Sequence, residues 1–212
     1  MSAVTVHAQP FAATQGTQAV LVPSEMPEVD HSLKHFSFHD WVAQAAQSSQ
    51  VELRHLGDAP ALIEPRVQGK YTAGVRAMLH WCRINEQLTL ERYAPEASVY
   101  VGFERASRVK PVLKRYQKLA EQSKELVLFA ELDVPVPLDA SCVDVTGCAL
   151  AREWFLVIHS PNYHALLVAR DLDGFGPTGP LQGRRFSGLT LHDSGVIGRA
   201  IQELKRCVGT AS

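Results

Sequence analysis

The chain has 212 residues, 46% hydrophobic and 20% charged, which is enough apolar material to bury a core without a metal or disulfide staple. Its 21 basic and 22 acidic side chains leave a formal net charge of −1, so no whole-chain field favours nucleic acid or an anionic membrane. Cys82, Cys142, Cys148 and Cys207 form no CxxC pair, which removes the zinc-ribbon and thioredoxin-like readings and fits buried thiols in a reducing compartment. Residues 1–29 read as a tail. Gln, Thr, Ala and Pro are frequent there, no helix or strand period holds, and with Lys34 as the first basic residue there is no secretory n-region. No apolar run approaches the roughly 20 residues of a membrane helix. The expected location is the cytoplasm.

Residues 30–96 read as a helical segment. Ser37 is a natural N-cap with Asp40 three residues on, and Trp41, Val42, Ala45 and Ala46 follow. Gly57, Pro60, Pro65 and Gly69 punctuate the next stretch. A second helix is predicted over about 71–88, where Val75, Met78, Leu79, Cys82 and Glu86 share a face. The third region, 97–208, opens with a strand at Ser98–Phe103, in which Val99, Val101 and Phe103 alternate with Tyr100. A helix follows at about 108–123, striped by Val109, Val112, Leu113, Tyr116, Leu119 and Ala120, with Pro111 admissible only in its first turn.

Leu126–Ala130 is a short apolar strand, and 131–150 reads as a loop rich in Pro and Asp. Trp154–Ile158 and Ala165–Ala169 form a hairpin around Asn162 and Tyr163, the first strand being apolar on both faces and so central. After a Gly- and Pro-rich loop come a strand at Phe186–Leu191 and a final helix at about 193–206. Strands clustered without regular helical crossovers predict an α+β fold. Its sheet would have about four mostly antiparallel strands packed with helices, preceded by the helical N-terminal segment.

Several motifs carry chemistry on paper. Gly174–Gly179 spells GxGxxG, but Pro177 and Pro180 crowd it and a strand follows, so a hairpin loop fits better than a dinucleotide site. His31, His35 and His39 are spaced i, i+4, i+8, a pattern able to share a metal on one helix face. Ser37 as N-cap would leave the first two outside the helix, so no metal site is assigned. His192, Asp193 and Ser194 are the residue types of a hydrolytic triad, yet adjacent side chains diverge. A capping role is the natural one, either with Thr190 and Asp193 as a capping box or with Asp193 capping alone. Arg105, Arg108, Lys110, Lys114, Arg115 and Lys118 make a basic stretch, either a solvated helix face or an anion or partner-protein site. No aromatics interleave it, so nucleic acid is not indicated. Glu104, Glu131, Asp133 and Glu153 fall at strand ends, where paired carboxylates can do acid–base work.

Val99–Phe103 (VYVGF), the helix bearing Tyr116 and Leu119, Val127–Asp133 (VLFAELD), Arg152–Val157 (REWFLV) and Arg185–Thr190 (RFSGLT) occur in that order over residues 97–206. This arrangement resembles the DICT sensory domain of diguanylate cyclases and two-component systems. Ala61–Glu64 (ALIE) is similar to the lead-in before that core. The chain departs from the family at Glu104, where Gln is usual, and in a lengthened stretch after Thr190. The resemblance implies an α+β domain with a sensory role, in the company of cyclic-di-nucleotide enzymes, histidine kinases and light-response proteins.

The leading expectation is therefore a non-enzymatic cytoplasmic sensor or adaptor that binds a small molecule, a signalling partner or both. Its cofactor is unspecified, and homodimerisation through the helices fits. The ligand-site candidates are Phe103, Tyr116, Trp154, Phe155 and Phe186. The partner-site candidates are Arg108, Lys114, Arg115 and Lys118. One alternative is a small hydrolase or transferase using Glu153, Asp133 or His159. The other is a purely structural interaction module.

Overall fold

The computed structural model describes residues 34–56, 73–172 and 185–208. The 1–29 tail, His31, the Ala61–Glu64 lead-in and the Gly174–Gly179 motif lie outside them. Helix α1 spans Phe38–Ser48 and is capped as its sequence predicts, with the Asp40 amide donating to Ser37 Oγ at 3.1 Å. Strand β1 spans Arg54–Leu56 and α2 spans Ala73–Leu88. Next come β2 (Ser98–Arg105), α3 (Leu113–Gln122), β3 (Glu125–Glu131) and β4 (Ser141–Asp144). The hairpin strands are β5 (Glu153–Ser160) and β6 (Tyr163–Asp171), followed by β7 (Phe186–Leu191) and α4 (Ser194–Cys207). The α-helix around Pro111 starts later than its apolar stripe suggests. Ala106–Val112 is a 3₁₀ turn containing Pro111, and α3 begins only at Leu113. Among the described residues no helix is long and apolar enough to cross a membrane.

The chain is α+β, but its sheet is larger and more mixed than expected. Seven strands run in the order β1-β7-β6-β5-β2-β3-β4. The pairs β1–β7, β7–β6, β6–β5 and β5–β2 are antiparallel, whereas β2–β3 and β3–β4 are parallel. The parallel pair β2–β3 needs a crossover, and α3 supplies it. Two strands escaped the pattern reading. Strand β4 sits in the stretch read as a loop, and β1 is only three residues long. The N-terminal segment is accordingly not a purely helical lead-in. Strand β1 pairs with β7 between α1 and α2, because the free edge of β7 offers its backbone groups to a neighbour.

Helices cover both faces of the sheet, which explains why β2, β3, β5 and β6 are apolar on both sides. On one face Phe38, Val42 and Ala46 of α1 and Val196, Ile197, Ala200 and Leu204 of α4 pack over Tyr100, Phe129, Phe155, Val157 and Val168. On the other, Val75, Met78 and Cys82 of α2 and Tyr116 and Leu119 of α3 pack over Val99, Val101, Phe103, Leu128, Trp154 and Leu156. Capping of α4 falls to Asp193 alone, whose Oδ1 accepts the Val196 amide at 2.8 Å. Of the two caps read from the sequence this is the single-residue one: Thr190 is buried in β7, where its hydroxyl donates to the Arg54 carbonyl at 3.4 Å.

Glu86 of α2 is buried beneath α3. Tyr116 Oη donates to its Oε1 at 2.5 Å, and Arg115 pairs with its Oε2. Burial pushes this carboxyl up, and Arg115 and Tyr116 offset the effect only in part. The folded state therefore holds the Glu86 proton more tightly than the unfolded chain does. The group's stabilising contribution is complete below the unfolded carboxyl value, about 4.3. It declines as pH rises through the higher folded value. With Glu86→Gln that decline is expected to vanish, so the stability gap should move in the variant's favour between about pH 4 and 7. Urea denaturation across that range reads it, and a gap independent of pH refutes it.

Candidate functional site

Strands β2, β3, β4 and β6 all end at one edge of the sheet, and β5 and β7 begin there. In sheets with parallel strands this carboxyl edge is where ligands bind, because the strand ends diverge and leave a crevice. The charged residues of the middle region collect along it. Glu104 is fully buried and pairs with Arg108 at 3.2 Å. Arg105 pairs with Glu131 at 3.4 Å. Asp133 accepts the Ser107 amide at 2.9 Å and the Ser107 hydroxyl at 2.7 Å. Burial works against the Asp133 carboxylate, but these two bonds prevail and hold its pKa below the usual range.

Glu153, at the start of β5, fastens α1 to this edge. Its Oε2 accepts the amides of Phe38 at 2.8 Å and His39 at 3.1 Å, and its Oε1 accepts the Ser37 hydroxyl at 2.6 Å. A carboxylate here also meets the positive end of the α1 dipole. Arg170 closes the cluster, lying 3.5 Å from Glu153, 2.8 Å from Asp40 and in contact with Ser37 Oγ. Burial pushes the Glu153 carboxyl up, and Ser37, the two amides and Arg170 pull it partly back. Burial and Arg170 together lower the His39 pKa, so its imidazole is neutral at pH 7. His39 Nε2 lies 3.4 Å from Ser187 Oγ, and its Nδ1 lies 3.5 Å from Asp40 Oδ1. These are the residue types of a hydrolytic triad, but Asp40 is exposed and bound to Arg170, and Nδ1 makes no hydrogen bond.

Beside this cluster a cavity of about 400 Å³ opens at the ends of β3 and β4. Lys34 and His35, from the approach to α1, form one wall. Glu131 and the β4–β5 connection, including Gly147, Cys148 and Arg152, form the other. The two walls are tied together by the Ala149 amide, which donates to the Lys34 carbonyl at 3.2 Å. The volume is that of a small-molecule site.

The five aromatics expected to line a ligand site fall on both faces of the sheet. Phe103 lies 5.3 Å from Tyr116 and 6.0 Å from Trp154, and Trp154 lies 6.5 Å from Phe186. Phe155 is on the opposite face, against Phe38 and Phe129. All five are buried, and none lines the rim cavity. The four basic candidates also divide. Arg108 and Arg115 are paired with the buried carboxylates Glu104 and Glu86, while Lys114 and Lys118 are exposed one turn apart on α3.

Glu153, Asp133 and His159 do not assemble into one acid–base site. Glu153 and His159 sit six residues apart at opposite ends of β5, about 20 Å at the rise of a strand. His35 precedes α1 and His39 lies within it. Among the described residues no group of three or more His, Cys, Asp or Glu side chains is placed to hold a metal. His192 and Asp193 diverge, with His192 Nδ1 2.8 Å from the His164 carbonyl and Asp193 on α4. The residues pattern reading missed are Lys34, Cys148 and Arg152. Their shared property is position at a strand-end crevice, which follows from the parallel pairing of β2, β3 and β4.

A family profile described as the sensory domain in diguanylate cyclases and two-component system, DICT, matches residues 64–172, just over half of the chain. The chain belongs to the DICT family. No curated protein and no solved structure matches it. The DICT match takes in α2 and the strands β2 to β6, together with the motifs at 99–103, 127–133 and 152–157. It starts earlier and ends earlier than the resemblance read from the sequence, so Arg185–Thr190 and α4 lie beyond it. Of the rim cavity, Glu131 and the β4–β5 wall belong to the matched DICT residues, whereas Lys34 and His35 precede them.

Proposed function

We propose that this DICT protein is a cytoplasmic signal-sensing module of a bacterial two-component or cyclic-di-nucleotide pathway. It takes a small ligand into the rim cavity and passes the change to a protein partner. The supporting observation is the cavity itself, which lies at the carboxyl edge of β3 and β4 and has the approach to α1 as one wall. Lys34 and His35 lead directly into Ser37, Phe38 and His39, the three residues that Glu153 holds. A ligand that draws Lys34 and His35 toward Arg152 does work against the Glu153 anchor and biases the seating of α1. Sensing is assigned to residues 97–208, and α1 is the element that moves.

Lys114 and Lys118 are the proposed partner contacts, being exposed and free of the structural pairings that engage Arg108 and Arg115. The family's association with light-response proteins makes a chromophore one candidate ligand. Absorption and native mass spectra of protein purified from its own host test the reading. A bound small molecule or a co-purifying signalling protein supports it, and a bare, colourless chain without either counts against it. With a partner in hand, Lys114→Glu with Lys118→Glu is expected to abolish the complex while leaving the thermal midpoint unchanged. Unimpaired binding removes α3 as the dock.

A further inference from the structure

We infer that the rim cavity binds a small organic anion, a molecule whose carboxylate or phosphate head sits between Lys34 and Arg152. This rests on the cavity being the ligand site proposed above, and it specifies the chemistry of the occupant. The carboxylates of the rim are already engaged: Glu104 with Arg108, Glu131 with Arg105, Asp133 with Ser107, and Glu153 with α1 and Arg170. Asp144, the remaining acid near Cys148, accepts the Thr146 amide at 3.0 Å and the Thr146 hydroxyl at 2.6 Å.

Two cations in the cavity wall are not used in this way. Lys34 and Arg152 are exposed, both line the cavity, and among the described residues neither has an ion-pair partner. They come from the two separate segments that line the cavity, with His35 next to Lys34 in the chain. A guanidinium offers a planar fork that matches carboxylate or phosphate oxygens two at a time, and an ammonium adds a point charge from the other side. A partly enclosed cavity strengthens both interactions over what open solvent allows. An anionic head group is the occupant whose charge and oxygen geometry these two side chains complement.

Amide NMR of the full chain, titrated at constant ionic strength with inorganic phosphate, succinate and the neutral analogue succinamide, tests this. Phosphate or succinate is expected to shift the Gly147, Cys148 and Arg152 amides saturably. Lys34→Gln and Arg152→Gln are each expected to weaken binding about tenfold, the loss of one charge-assisted contact. Lys124→Gln, at an exposed lysine before β3, should leave it unchanged. Response to phosphate alone or succinate alone identifies the head group, and either supports the inference. If succinamide shifts the same amides and neither anion does, the cavity stands as a ligand site but the anion assignment is overturned. If none of the three produces a saturable shift at these amides, both the cavity reading and the anion assignment fall. Equal weakening by Lys124→Gln would reduce the effect to general charge screening and also overturn the inference.

Discussion

Replacing Glu153 with alanine is expected to lower the unfolding free energy by about 3 kcal/mol, the cost of leaving buried donors without their charged acceptor. Glu153 is 2% exposed, and its two oxygens serve the amides of Phe38 and His39, the Ser37 hydroxyl and Arg170. Arg170 is a third exposed and can turn to solvent, so its share of the loss is small. The two amides and the hydroxyl carry most of the loss, because they lie at the start of α1 and have no intrahelical acceptor. Glu153→Gln should cost less, since the amide oxygen can still accept one of these bonds. Hydrogen exchange offers the sharper reading. In Glu153→Ala the amides of Phe38, His39 and the first turn of α1 should exchange at least ten times faster, while those of β5 and β6 keep their protection relative to global stability. Uniform acceleration across the chain would mean that Glu153 stabilises the fold in general and does not anchor α1. Under the sensing mechanism the same variant should also decouple α1 from the rim cavity.

The second large effect lies at the centre of the sheet. Gly102 of β2 is paired with Phe155 of β5, and the Phe155 ring lies over it. A Cβ added at Gly102 would come within 2.3 Å of that ring. The ring cannot retreat, because Phe155 is fully buried with Phe38 5.1 Å and Phe129 5.5 Å from it. Gly102→Ala should therefore cost about 1–3 kcal/mol by overpacking. Phe155→Ala should cost about 3–5 kcal/mol by leaving a cavity. The two are not expected to add. In the Phe155→Ala background the Gly102→Ala penalty should nearly disappear, because the methyl then enters the vacated space. Chemical denaturation of the four proteins in this cycle measures the coupling. Full additivity would place the cost of Gly102→Ala in the strand backbone and not in the aromatic contact.

Much of this molecule was readable from local pattern. The alternation at Val99, Val101 and Phe103 marked β2, the continuous apolar runs marked β3, β5 and β6, and the run in β5 marked a central strand. Ser37 and Asp193 announced the two helices they cap, because a side-chain oxygen that satisfies an amide two or three residues on is a short-range event. The placement of Glu104, Glu131, Asp133 and Glu153 at strand ends also has a local origin, since each closes or opens an apolar run, but that they share one edge was not legible.

What local pattern did not contain is which strands meet, and in which direction. The sheet ladder is made of backbone groups common to every residue, so three-residue β1 and four-residue β4 left no side-chain signature, and neither did the parallel pairing of β2, β3 and β4. The rim cavity follows from that pairing, so Lys34, Cys148 and Arg152 became a site only once the chain had folded. The basic stretch divides for a similar reason. One residue along α3 turns the side chain by roughly 100°, which points Arg115 inward to Glu86 and leaves Lys114 in solvent. Composition, elements and caps were thus set by the chain itself. Strand partners, the division of the aromatics between two faces and the charge balance of the rim came from contacts between residues far apart in sequence.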